Sequence, residues 1–268
     1  MSTSSKETSS PVRCEKSGAA LVLTICRPHA GNSIDTATAK ALGDELRAAR
    51  RDKDLRAVII AGEGGKFFCS GGDLKAYRAL TTKKQLASAF GRVRKLLDDF
   101  EAFPLPVIAA IDGYALGGGM EMALACDLRF GSANAKLGMP QGRLGLIPGW
   151  NGIQRLVELV GRGTALRLLY TGETVTAKDA HAMHLLDDVA ADGSTAVQHA
   201  LAFVQSLDKT APLSLAATKA VTLAALRTPS ANATKVATHA FEKLWFTGDH
   251  REAESAFAEK RTPSFVGS

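Results

Sequence analysis

Several things are scarce in this 268-residue chain, and each scarcity removes a class of protein. There are four cysteines, Cys14, Cys26, Cys69 and Cys126, widely spaced and with no CxxC pair. That excludes a disulfide framework and the usual zinc spacings, and reads as reduced thiols in a cytoplasmic protein. No apolar run reaches the ~18 residues a membrane span needs. The opening MSTSSKETSS lacks the apolar core of a secretory signal and the arginines of a transit peptide, so residues 1–12 read as a disordered tail. Aromatics are only 6% of the chain. Lysine and arginine exceed the acids, 33 against 27, but no run or stripe of basic residues accompanies the net charge of +6, which disfavours a nucleic-acid partner.

What is present is an ordinary globular composition, 46% apolar and 22% charged, sufficient for a sizeable core. Residues 19–26, 55–62 and 106–113 are short β-branched apolar runs that read as strands. Asp35 is placed to cap a helix running to about Arg51, and another helical stretch covers residues 83–103. DLRFG and AKLG are further short strands, and the pattern after Gly152 is almost entirely helical. No internal repeat is visible. Strand and helix thus alternate over the first 150 residues and helices follow, which implies a parallel α/β core with a helical C-terminal part.

Chemistry concentrates at two glycine turns. Phe67-Phe68-Cys69 runs into Ser70-Gly71-Gly72-Asp73 with a helix starting near Leu74. The strand ending near Ile111 leads through Gly113 to Gly117-Gly118-Gly119, with a helix starting near Met120. Helix starts carry free N–H groups and partial positive charge, and glycine lets a ligand approach that backbone. Side by side, the two turns would each aim an N–H at one oxygen, the layout of an oxyanion hole. The alternative is a pair of tight turns with no ligand. Neither turn carries GxGxxG or GxxxxGK[ST], so the common nucleotide loops are disfavoured.

FFCSGGDLK, AAIDGYALGGGMEMALACDLRF, LGLIPGWNGIQRL and AFAEKRTPSF, in that order, resemble the enoyl-CoA hydratase/isomerase (crotonase) family from about Ala19 to Phe265. The resemblance implies a spiral of ββα units in a core over residues 13–200, and a helical oligomerisation region over 201–268 that builds trimers or paired trimers. It implies an acyl-CoA thioester as ligand, with coenzyme A as part of the substrate and neither metal nor separate redox cofactor. It assigns the two oxyanion donors to the N–H groups of Gly72 and Gly118, and the first catalytic carboxylate to Glu121. Lys66, Lys75 and Lys260 correspond to cations that meet coenzyme A, and Phe257 to a residue beside its adenine. Read without the resemblance, each lysine is a solvated surface charge, and Glu121 merely complements a helix dipole.

The chain departs from that pattern at Gln141, which follows Pro140 where the hydratases carry a second glutamate. A carboxamide holds water or ligand by hydrogen bonds but moves no proton near neutral pH. Trp150 and Asn151 stand where the hydratases have small residues, so Trp150 either shapes the acyl pocket or packs in a core or subunit interface. The expected reaction is hydration of a 2-enoyl-CoA. The alternatives are decarboxylation of a malonyl-type thioester and a non-catalytic trimer binding acyl-CoA or RNA. His181 and His184 read as surface or packing residues, and Asp73 and Asp127 as structural ones.

Overall fold

The computed structural model describes residues 10–227, 238–239, 241–244 and 247–268, without the side chains of residues 257 and 258. A six-stranded sheet forms the centre, in the order β1 (Val12–Ser17), β2 (Ala20–Ile25), β3 (Ala57–Gly62), β5 (Val107–Ile111), β7 (Leu128–Gly131) and β10 (Asp188–Val189). The pairings from β2 to β10 are parallel; β1 is an antiparallel edge. Every residue of β2 and β5 is buried, as expected of strands covered on both faces.

The two-residue period of these strands sorts the core into two layers. Leu23, Ile25, Val58, Ile60, Val107 and Ile111 face one side. There they pack with Leu42 and Leu46 of α1 (Thr36–Ala49) and Leu97 and Phe100 of α3 (Lys83–Glu101). Val22, Ile59, Ile108, Ala110 and Phe130 face the other side, against Ala196, Ala200 and Val204 of α7 (Ala196–Ser206). The caps are those the sequence encodes: Asp35 accepts from the Thr38 N–H, and Thr82 with Gln85 closes a capping box on α3.

A second, parallel-to-mixed sheet of short strands stands at the carboxyl ends of the first. Its order is β4 (Phe67–Cys69), β6 (Tyr114–Leu116), β8 (Lys136–Gly138) and β9 (Thr174–Thr176). Three of the large-sheet strands, β3, β5 and β7, are each followed by a small-sheet strand and then helix. β3 and β4 lead to α2 (Leu74–Tyr77) and α3, β5 and β6 to α4 (Gly118–Leu124), and β7 and β8 to α5 (Gly152–Thr171). This is a spiral of ββα units, a repeat of topology that the sequence does not show as a repeat of residues.

Three placements differ from the sequence reading. The region after Gly152 is not wholly helical: β9 pairs antiparallel with β8, and β10 adds a parallel edge to the large sheet. Both strands are too short to print a period, and their partners lie nearly sixty residues away in β7 or more than thirty in β8. β1 begins at Val12, inside the stretch read as tail. And α7 runs unbroken across residue 200, where the sequence divides core from oligomerisation region. α6 (Ala177–Ala182) precedes α7, and after it come α8 (Pro212–Arg227) and α9 (Gly248–Glu259). No helix of the described residues is long and apolar enough to cross a membrane.

Candidate active site

β4 and β6 are parallel neighbours, with Phe67 opposite Tyr114 and Cys69 opposite Ala115, so the turns that leave them lie side by side. A Cβ built on Gly71 would stand 3.0 Å from the Gly118 nitrogen. The first turn is tied down on both sides of Gly72: Ile34 N–H donates to the Gly71 carbonyl at 2.8 Å, and Asp73 N–H donates to the Ile34 carbonyl at 3.0 Å. Asp73 then caps α2 through the Lys75 and Ala76 N–H groups and accepts from Arg27 at 2.8 Å, a structural role. Among the described residues, neither the Gly72 nor the Gly118 N–H has a protein acceptor.

The three consecutive glycines meet three different demands. Gly117 has φ +54°, a conformation that disfavours side chains. A Cβ on Gly118 would fall 2.3 Å from Cζ3 of Trp150, and one on Gly119 would fall 1.9 Å from the Cys69 carbonyl oxygen. α4 therefore seats its first turn directly on the backbone of β4.

Glu121 projects from that first turn and is 2% exposed. Four donors hold its carboxylate. Oε1 accepts from the N–H groups of Trp150 (2.7 Å) and Gly152 (3.0 Å), and Oε2 from Gly149 N–H (3.2 Å) and Gln141 Nε2 (3.3 Å). Burial pushes the carboxyl above its usual value, and the four donors offset only part of that rise. The loop Gly149–Gly152 thus wraps a carboxylate at the start of α5, where exposed N–H groups favour negative charge.

Gln141 spans two directions. Its amide donates to Glu121, while its Oε1 is buried and has no hydrogen-bond partner among the described residues. Because the carboxylate only accepts when ionised, the amide orientation is set by Glu121, and the free end is an acceptor. A Cβ on Gly117 would lie 3.7 Å from the Gln141 amide nitrogen, so the carboxamide borders the second turn.

Trp150 is 2% exposed and roofs both turns, its indole meeting Gly118 and, at 3.2 Å from a Cβ built there, Gly72. Tyr77 closes the same space: its Cε2 would be 2.3 Å from a Cβ on Gly72. Phe90 stacks between them, with ring centroids 5.0 Å from Tyr77 and 6.4 Å from Trp150. Arg155 anchors the loop from behind: buried, it donates to the Trp150 carbonyl at 2.8 Å and pairs with Glu101 at 2.9 Å and Asp98 at 3.0 Å.

The sequence reading brings Glu121, Gly72, Gly118, Gln141 and Trp150 to one place, and the structure assembles all five there. It did not single out Tyr77, Phe90 or Arg155. Tyr77 and Phe90 carry no sequence signal, since only the approach of α2 to α3 joins them. Arg155 does carry one: a cation in the first turn of a helix opposes the dipole and so implies a specific partner. Lys66, Lys75 and Lys260 are exposed, with Lys66 Nζ lying 5.7 Å from the Phe67 ring centroid. The Phe257 side chain lies outside the described residues. His181 and His184 are exposed on and just after α6. Among the described residues no three His, Cys, Asp or Glu side chains form a metal-holding group.

The family model for enoyl-CoA hydratase/isomerase matches residues 15–268. The chain is 36% identical over 248 residues to 2,3-dehydroadipyl-CoA hydratase of Escherichia coli, covering 92% of this chain and 95% of that one. It is 34% identical over 257 residues to (E)-benzylidenesuccinyl-CoA hydratase of Thauera aromatica, covering 96% and 99%. A crystal structure of enoyl-CoA hydratase from Bacillus anthracis superposes with a TM-score of 0.91 at 32% identity, over 96% of this chain and all of the other.

Proposed function

The chain belongs to the enoyl-CoA hydratase/isomerase family, and from that premise we propose that it hydrates a 2-enoyl-CoA, with Glu121 carrying the proton and Gln141 holding the water. One observation carries the reading. Two backbone N–H groups without protein acceptors lie on adjacent turns beside a single buried carboxylate.

Water adds its oxygen to the β-carbon while the C=C electron pair moves through the α-carbon onto the thioester oxygen. The Gly72 and Gly118 N–H groups stabilise that enolate oxygen, and each such donor is worth roughly 3–4 kcal/mol in the transition state. Glu121 takes one proton from the water as its oxygen adds. It returns that proton to the α-carbon as the enolate electrons fall back, which leaves the 3-hydroxyacyl thioester and the original carboxylate. One carboxylate therefore balances the reaction. Its raised pKa suits the role, because the shift strengthens the carboxylate as a base toward the water. The unpartnered Oε1 of Gln141 supplies what a second glutamate would otherwise give the water: an acceptor for its other hydrogen.

Hydration is followed by loss of the enoyl absorbance of crotonyl-CoA. Turnover in the native chain with loss of about two orders of magnitude or more in Glu121→Gln is expected. Unchanged turnover in that variant would remove Glu121 from the chemistry.

A second reading, decarboxylation of a malonyl-type thioester, is favoured by Gln141 itself, which leaves one titratable group beside the hole. Carbon dioxide leaves, the same two N–H groups hold the enolate, and one donor protonates it. Release of CO₂ from methylmalonyl-CoA or ethylmalonyl-CoA with no hydration of crotonyl-CoA would decide for it.

A further inference from the structure

Two hydrogen-bond donors at the site have nothing to donate to. The Trp150 Nε1 and Tyr77 Oη atoms are both buried, and neither has a hydrogen-bond partner among the described residues. They belong to rings that meet over the same glycine. A Cβ built on Gly72 would stand 3.0 Å from Tyr77 Cζ, the carbon bearing the hydroxyl, and 3.2 Å from Trp150 Cζ2, on the indole edge beside Nε1. Phe90 braces both rings, and Arg155 fixes the backbone of Trp150. The donors are therefore held in place.

A buried donor without an acceptor costs about 1–3 kcal/mol, and folded proteins leave few of them. Packing does not require these two. Phenylalanine in either position would fill an apolar acyl pocket without that cost. The Tyr77 hydroxyl stays protonated well beyond neutral pH, since burial pushes it up to about 12, so it remains available to donate. Two donors whose rings cover Gly72, one of the proposed oxyanion donors, imply an acceptor on the acyl group.

Building on the acyl-CoA reading above, we infer that the acyl group of the substrate carries an oxygen acceptor, a ketone or carboxylate, within a few carbons of the thioester, and that Trp150 Nε1 and Tyr77 Oη select it by donating to it. An unsubstituted alkyl chain leaves both donors unpaired and is the poorer ligand.

Two isosteric series of CoA thioesters test this by calorimetric titration of the full chain. One comprises isovaleryl-CoA, acetoacetyl-CoA and malonyl-CoA; the other, one carbon longer, isohexanoyl-CoA, levulinyl-CoA and succinyl-CoA. Within each series shape is nearly constant while the branch changes from alkyl to ketone to carboxylate. In at least one series an acceptor-bearing member is expected to bind about tenfold or more tightly than its alkyl isostere. The ketone and carboxylate arms tell the two acceptors apart. Tyr77→Phe keeps the ring and removes the donor; Trp150→Phe removes the donor and exchanges the indole for a smaller apolar ring. Each should shrink the preference severalfold and the double variant should abolish it; the preference is a ratio taken within one variant, so a change in overall affinity does not enter it. Equal affinities within both series, or a preference that survives in the double variant, would overturn the inference and leave the acyl-CoA reading intact. Failure of every thioester to bind would overturn that reading and the inference with it.

Discussion

Glu121 is the residue on which charge, geometry and reaction meet. A lone acid two residues after three glycines can mean a helix-dipole partner or a base; in the structure three backbone N–H groups bind it, and burial raises its pKa. The sign follows from that direction. As a base it must be ionised, so the hydration rate should fall as pH drops through a value above the ordinary 4.5 of a glutamate. Stability moves the other way. The folded state binds the Glu121 proton more tightly than the unfolded chain does, so its contribution is fully present below the unfolded pKa and is lost as pH rises through the folded one. The melting temperature of the native chain relative to Glu121→Gln should therefore decline with rising pH across the window in which activity appears. A relative melting temperature that climbs there instead would contradict the raised pKa.

Gly118 makes a second prediction at the same scale. Gly118→Ala retains the N–H but drives a methyl to 2.3 Å from the Trp150 ring. Activity should fall through displacement of the indole, and Gly118→Ala should cost much less in a Trp150→Ala background. A double-mutant cycle measures that coupling, expected at about 0.5–3 kcal/mol; additive effects would mean that the two groups do not compete for one space.

At the scale of elements, the clearest dependence joins α8 to the end of α4. Lys219 of α8 pairs with Asp127 at 2.6 Å and donates to the Phe100 and Leu105 carbonyls, while Asp127 also accepts from Val107 N–H at 2.7 Å. Burial lowers the lysine pKa and raises the aspartate pKa, and each charge pulls the other back toward its usual value. Lys219→Met takes the cation from Asp127 in an open pocket of about 540 Å³ lined by Leu124, Leu215 and Leu223 together with Arg129, Arg155 and Arg227. It should cost about 3 kcal/mol, the lower end for a broken buried pair because Asp127 keeps 28% exposure. Chemical denaturation reads the loss; a shift under about 0.5 kcal/mol would make the pair a surface one. The sequence reading of Asp127 as structural names the right role, but its partner lies 92 positions downstream and no spacing rule reaches that far.

The whole molecule adds the question of assembly. The family resemblance implies trimers or paired trimers, and Leu144, Leu146 and Ile147 stand 61–75% exposed in a single chain. Sedimentation equilibrium is expected to return three or six times the 28.2 kDa of one chain. A monomeric mass across micromolar concentrations would refute that expectation.

Much of this protein is legible in its residues. Strands with consecutive buried β-branched positions, a capped first helix and two glycine turns before helix starts are local patterns, governed by sterics and by backbone hydrogen bonding over a few residues. They suffice for an α/β chain and for Glu121, Gly72 and Gly118 as candidates. Tertiary structure alone decides how these parts relate. β4 lies parallel to β6, which sets the two turns beside each other. The Gly149–Gly152 loop closes over Glu121 from nearly thirty residues away. Tyr77 and Trp150, from distant segments, leave two buried donors over one glycine. Such contacts are fixed by packing at long sequence separation, where no residue pattern encodes its partner.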